Sequence, residues 1–267
     1  MAISLFRKAK FTFWQMAEGR AIFEWQSFYL LRGLLKKLPQ GDGHPVIVFP
    51  GFMASDISTK PLRKLLDDLG YTTYGWDLGR NVVFNQDREQ LMRNLLRNVH
   101  QHEGQKVSLI GWSLGGIFAR ELAKFDPELV RSVITMGSPI SGVAEHSNAR
   151  YLFDSLNGKP SEHRKRRMHS LNIPPAVPTT SIYSKSDGIV AWEGSVQHPK
   201  HAPELTENIE VPGSHLGLGV NLLAIYAIVD RLAQGDENWQ PFDMSGFKRL
   251  LYREPKHFTR SNLERAY

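Results

Sequence analysis

The chain has 267 residues, no cysteine, and 33 Lys and Arg against 27 Asp and Glu, a formal net charge of +6. This length suits a single α/β domain with a sizeable core, and the missing cysteines exclude both a disulfide framework and thiolate catalysis. The positive balance favours anionic surfaces without saying anything of the fold.

Residues 1–40 read as a helical arm ahead of a main domain over 41–267. Arg7, Lys8 and Lys10 precede an apolar-aromatic stretch, as in a secretory leader, but Glu18, Arg20 and Glu24 interrupt it. No uninterrupted apolar region with a small-residue cleavage site follows, and the stretch is too broken for a membrane span. Trp14, Ala21, Trp25, Phe28, Leu31, Leu35 and Leu38 recur at helical spacing, so one or two amphipathic helices are expected. Two readings stay open. The arm packs on the flank of the domain, or it lies as a basic-aromatic helix on an anionic membrane or a partner. Gln40-Gly-Asp-Gly ends it.

Pro45–Phe49 (PVIVF) is a continuous apolar, β-branched run suited to a strand buried on both faces. Pro50-Gly51-Phe52-Met53 turns at its carboxyl end. A helix is expected from Ser58 to about Leu69, closed by Gly70, then a strand over Tyr71–Trp76. Asp77–Asn81 follows at the rim, where Asp77 reads better as a cap or a partner of Arg80 than as a catalytic acid. Gln86–His102 has helical periodicity through Leu91, Leu95 and Val99.

Val107–Ile110 enters Gly111-Trp112-Ser113-Leu114-Gly115, and a helix follows to about Lys124 or Phe125. This is the strand–turn–helix setting of a G-x-S-x-G nucleophile elbow, with Ser113 strained at the tip. Gly111 and Gly115 flank it where a Cβ would crowd the backbone. On these residues the chain resembles the α/β-hydrolase superfamily, and within it bacterial lipases and esterases. The resemblance covers about Pro45–Ala233. It implies a doubly wound, mostly parallel sheet with helices on both faces and a lid insertion.

It also implies roles. Ser113 is the nucleophile. The main-chain N–H groups of Phe52 and Leu114 are the oxyanion donors, although Pro50 stands where many relatives carry His. After a strand over Ser132–Met136, the segment 141–178 is assigned as the lid. It mixes Tyr151, Leu152, Phe153 and Leu156 with the basic block His163–Arg167, which reads as a solvated face or as a contact to anionic headgroups. Thr179–Tyr183 is a strand, and Asp187-Gly188 after it matches the acid loop. Glu207–Val211 is the last strand, and His215 on the glycine-flanked loop beyond it matches the base. The order Ser, Asp, His is the one this fold uses.

The other histidines lack such strand-end settings. His198 and His201 have no third ligand at suitable spacing, so no metal site is expected, and the chemistry calls for no cofactor. The tail from Gln234 carries Trp239, Pro241, Phe242, Phe247, Leu250 and Leu251, expected to dock on the domain. The implied activity is hydrolysis of small-molecule or lipid acyl esters. An acyltransferase or polyester-related enzyme and a non-catalytic membrane-associated scaffold are the alternatives. The expected setting is cytoplasmic with peripheral contact to an anionic membrane, without a nucleic-acid partner. The oligomeric state is left open.

Overall fold

A computed structural model describes residues 13, 16–83, 85–141, 170–197, 204–235 and 238–253. Its centre is a six-stranded sheet: β1 (Pro45–Phe49), β2 (Thr72–Gly75), β3 (Val107–Trp112), β4 (Val130–Met136), β5 (Thr179–Tyr183) and β6 (Thr206–Glu210). The order is β2-β1-β3-β4-β5-β6, and every pairing is parallel. β1, β3 and β5 are buried along their whole length. That is why they read as unbroken apolar or small-residue runs rather than alternating ones. The chain winds from β1 outward to β2, then crosses back over β1 to β3. The switch point of the sheet therefore lies between the carboxyl ends of β1 and β3, where open α/β sheets hold their ligands.

Helices cover both faces. On one, Phe28 and Leu35 of α1 (Ala21–Leu35), Leu62, Leu65 and Leu66 of α2 (Asp56–Asp68), and Ala224, Ile225 and Ile228 of α5 (Leu222–Leu232) pack against Val46, Val48, Ile110 and Ile182. On the other, Met92, Leu96 and Val99 of α3 (Gln86–Glu103) and Phe118, Ala119 and Leu122 of α4 (Leu114–Phe125) pack against Ile47, Phe49, Leu109 and Val133. The N-terminal arm thus adds a helix to one layer. Phe28 is fully buried, worth about 1.5–3 kcal/mol against exposure.

Several boundaries differ from the sequence reading. α2 starts at Asp56, before Ser58, because the Asp56 carboxylate accepts the N–H groups of Trp76 and Asp77 at 3.0 Å each and fixes that end on the strand β2. β3 runs to Trp112, directly into the elbow. The tail docks through fewer residues than expected. Phe242 is buried, joined by Tyr252, whereas Phe247, Leu250 and Leu251 of the short α6 region (Lys248–Leu251 with the residue before it) are exposed. Tyr226 and Tyr252 pack their rings on Phe242. Of the expected lid, 142–169 lies outside the described residues. So do His198, His201 and the tail beyond Arg253.

Candidate active site

Ser113 sits between β3 and α4 with φ 54° and ψ −120°, a conformation that L-residues adopt only where the surroundings enforce it. The enforcement is visible. The Ser113 N–H donates to the carbonyl of Met136 at 2.8 Å, and the Ser113 carbonyl accepts from the N–H of Gly116 at 3.0 Å. A Cβ on Gly111 would lie 2.3 Å from Gly116 Cα, and one on Gly115 would lie 2.4 Å from the Phe49 carbonyl oxygen. Both glycines are therefore needed for β3 and α4 to meet at this angle and for α4 to press on the end of β1. Gly116, which the sequence places only in the following helix, is also crowded: a Cβ there would lie 2.8 Å from Ser138 Cβ and 3.0 Å from the Gly111 carbonyl oxygen.

Asp187 and His215 form a buried pair. Asp187 Oδ2 lies 2.6 Å from His215 Nδ1, and Oδ1 accepts the N–H groups of Ile189 at 2.8 Å and Val190 at 2.7 Å. Burial alone would push the imidazole pKa down. The charge and hydrogen bond of Asp187, with the charge of Glu18, outweigh burial and raise it above the ordinary histidine value. The bond to Nδ1 leaves Nε2 on the far side of the ring. Ser113 Oγ makes no hydrogen bond to the ring among the described residues, and such bonds often tighten only when substrate is bound.

Two contacts bring the pair and the elbow to the same place. Gly137 follows Met136 at the end of β4 with φ 53°, and a Cβ there would lie 3.0 Å from Asp187 Oδ2 and 3.1 Å from His215 Nδ1. Trp112, the residue before the serine, donates its indole N–H to the His215 carbonyl at 3.1 Å. Ser113, Asp187 and His215 therefore group around the carboxyl end of β4.

The Phe52 turn faces the elbow, with the Cβ position of Gly51 3.3 Å from Ser113 Cβ. Leu114 is the first residue of α4, where main-chain N–H groups point out of the helix. The turn is held by Asn81, which sequence reasoning placed at the rim without a role. Asn81 Nδ2 donates to the Pro50 carbonyl at 2.8 Å. The Asn81 carbonyl accepts from Met53 N–H, and the Asn81 N–H donates to the Ala54 carbonyl, both at 2.8 Å.

A second Ser-His-Asp relay lies at the amino ends of the central strands, opposite their carboxyl ends. His44 Nδ1 is 2.5 Å from Asp42 Oδ1, and His44 Nε2 is 2.9 Å from Ser108 Oγ. Its hydrogen bonds are complete, yet it has none of the other parts. His44 and Ser108 are buried, Ser108 lies inside the strand β3 rather than at a tip, and its hydroxyl also meets Ser132 Oγ at 3.1 Å. Arg131 closes the set on Asp42 at 2.8 Å. The relay ties β1, β3 and β4 together, and hydrogen-bond order by itself does not mark a nucleophile. Among the described residues no three His, Asp or Glu side chains cluster to hold a metal ion.

The fold and the elbow define a hydrolase of the α/β-hydrolase superfamily. A family model for palmitoyl protein thioesterase matches residues 45–193, more than half of the chain, and the chain belongs to that family. A metagenome-derived lipolytic enzyme from the LipS and LipT study superposes with a TM-score of 0.57 at 13% identity, covering 73% of this chain and 95% of the other. The monoacylglycerol lipase of Paleococcus ferrophilus gives 0.54 at 16%, covering 73% and 96%. Lipase B of Aspergillus fumigatus gives 0.56 at 19%, covering 74% of this chain and 54% of that one. At such identities the likeness is one of fold. No curated protein matches the chain.

Proposed function

We propose that the protein is a serine hydrolase of acyl esters and thioesters acting through Ser113, His215 and Asp187. Ser113 Oγ attacks the acyl carbonyl carbon while His215 Nε2 takes its proton. Asp187 holds the imidazole in the tautomer with Nδ1 protonated and stabilises the imidazolium. The N–H groups of Phe52 and Leu114 receive the negative charge on the tetrahedral oxygen. Collapse of that intermediate breaks the acyl–oxygen or acyl–sulfur bond, and the imidazolium proton goes to the leaving alcohol or thiol. Water then attacks the acyl-enzyme by the same steps and frees the acid. The observation that carries this reading is the strained Ser113 tip beside the buried Asp187–His215 pair. The thioester half rests on the family match. Ser113→Ala is expected to abolish turnover of p-nitrophenyl esters and acyl-thioester substrates, and a fluorophosphonate probe to label Ser113. Unchanged turnover, or labelling of another residue, overturns the assignment.

The outward face of α1 favours peripheral contact with an anionic bilayer. Ile22, Phe23, Tyr29, Leu30 and Leu34 are exposed along one stripe, so this helix is apolar on both sides. Glu18 and Glu24 of the arm turn inward, as described next; further along, Arg32 and Lys36 share Asp68 at 2.7 and 3.2 Å, and with Lys37 the three cations still outnumber that one carboxylate. No described helix is long and apolar enough to cross a membrane. Co-sedimentation with phosphatidylglycerol-containing vesicles, but not with pure phosphatidylcholine, is the expected result. Leu30→Asp should abolish it, and equal recovery with both vesicles would refute the charge argument.

A further inference from the structure

The arm contributes more than packing. Glu18, in the helical turn Ala17–Arg20 that leads into α1, is nearly buried. Its Oε1 accepts the N–H of Gly188, on the acid loop, and the N–H of His215 itself, both at 2.9 Å. Its Oε2 accepts the N–H of Leu216 at 3.0 Å. One carboxylate thus joins the residue after Asp187 to the histidine and to the residue after it. Two neighbours on the arm hold the same loops. Arg20 donates to the carbonyls of Ser186 and Gly213, the latter at 3.0 Å. Glu24 accepts from the N–H and hydroxyl of Ser214 and from Asn221 Nδ2, the last at 2.9 Å.

We propose that Glu18 is a positioning residue of the hydrolytic site, a carboxylate delivered by the N-terminal arm that sets the acid loop and the histidine loop against each other. The inference rests on the assignment of Ser113, His215 and Asp187 made above. Three main-chain donors take their acceptors from this one side chain. In its absence the two loops share the Asp187–His215 bond and their links to Arg20 and Ser184. Misplacing a reacting group by about 1 Å costs on the order of 100-fold in rate, so the link acts on kcat. Glu18 also sets charge. The charged groups around the imidazole are Asp187 from the acid loop and Glu18 from the arm, with Arg20 and Glu24 on the flanking residues of the same loops. The elbow side presents Trp112, which is neutral. Glu18 therefore adds to the stabilisation of the imidazolium that Asp187 provides.

The test compares wild type, Glu18→Gln, Glu18→Asp and Glu18→Ala in the full chain with p-nitrophenyl butyrate. The readouts are kcat, KM, the pH profile of kcat/KM and the thermal midpoint. Glu18→Gln keeps the shape, loses the charge and turns an NH2 group toward one of the three N–H donors. Its kcat is expected to fall roughly 10- to 100-fold with KM nearly unchanged. Its acid limb should move to lower pH, because the imidazolium loses a neighbouring anion. Glu18→Asp should return the limb toward wild type while kcat stays low, since the charge is restored and the reach is not. A folded Glu18→Ala enzyme with wild-type kcat overturns the proposal. So does a Glu18→Gln enzyme whose activity falls only as far as its folded fraction, with the acid limb unmoved. Ser113→Ala runs in the same assay. If it retains turnover, the hydrolytic assignment fails, whereas if it is dead and the Glu18 variants match wild type, only the positioning role fails.

Discussion

Asn81→Ala separates the stability of the proposed oxyanion turn from its chemistry. The side chain is fully buried, and its amide N–H donates to the Pro50 carbonyl at 2.8 Å. Truncation leaves that carbonyl without its buried donor, at a cost of about 1–3 kcal/mol. There is an opposing effect. Asn81 Oδ1 is buried without a partner among the described residues, and removing it relieves a desolvation penalty of similar size. The two main-chain bonds, from Met53 N–H to the Asn81 carbonyl and from Asn81 N–H to the Ala54 carbonyl, survive the change. Net destabilisation should therefore stay below about 2 kcal/mol, a fall in Tm of no more than roughly 8 °C for a chain of this size.

The effect on turnover should be larger than that small loss suggests. Losing an oxyanion donor outright costs about 2.7–4 kcal/mol of transition-state stabilisation, or about 100- to 1000-fold in kcat. Because the turn stays pinned by two bonds, the Phe52 N–H is misaligned rather than lost. The expected fall is then about 10- to 100-fold in kcat with KM within about twofold. Steady-state kinetics on p-nitrophenyl butyrate alongside a thermal melt would show it. A variant with wild-type kcat refutes the reasoning. So does one whose only change is in KM, because an interaction made only in the transition state acts on kcat and kcat/KM together.

The second relay gives a sharp control: Ser108→Ala and His44→Phe should leave esterase turnover and fluorophosphonate labelling unchanged, while chemical denaturation shows a loss of about 1–3 kcal/mol from unsatisfied buried groups. Gly137→Ala combines a positive φ with a Cβ 3.0–3.1 Å from the Asp187–His215 pair, so kcat should fall at least about 100-fold while the folded enzyme persists at lower Tm. In the proposed mechanism His215 must be neutral to accept the serine proton, and its pKa is raised by Asp187 and Glu18 against the effect of burial. The acid limb of kcat/KM should therefore have its midpoint above the ordinary histidine value of about 6.5, and a profile already flat at pH 6 would refute this.

The parts legible in the sequence are those whose cause is local. β1 and β5 are bounded where the apolar run and the β-branched run begin and end, because a strand buried on both faces needs little beyond its own residues. The elbow is legible for the same reason. The G-x-S-x-G spacing marks the turn and a Cβ on Gly111 would meet nearby Gly116, whereas the contact of Gly115 with Phe49 and the bond from the Ser113 N–H to the Met136 carbonyl come from neighbouring strands and are not written in the turn. Asp187 and His215 are legible by a different route. The resemblance points to each on its strand-end loop, and the sequence has no means of stating that they stand 2.6 Å apart. The limits appear where packing decides. Phe247 and Leu250 are as apolar as Phe242, yet Phe242 alone of the three is buried, since the aromatic cluster of Tyr226, Phe242 and Tyr252 is complete without the others.

Glu18, Arg20 and Glu24 mark a different limit. In the sequence they interrupt an apolar stretch, and they read only as breaks in its pattern. In the structure all three turn inward onto loops that lie more than 160 positions later in the chain. Most of their partners are main-chain N–H and carbonyl groups, which every residue carries. A bond of that kind leaves no complementary side chain to be found at the other end, and Asn81 on the Pro50 carbonyl is the same case. What is readable is the anomaly on the near side. Two carboxylates facing an apolar layer are costly to bury unless hydrogen-bonded, so charges of this kind within a packing helix point to loops that need acceptors. By this argument the arm belongs to the site it anchors, and Glu18→Gln should slow hydrolysis while Glu89→Gln, a carboxylate on α3 at the far face of the sheet, should not.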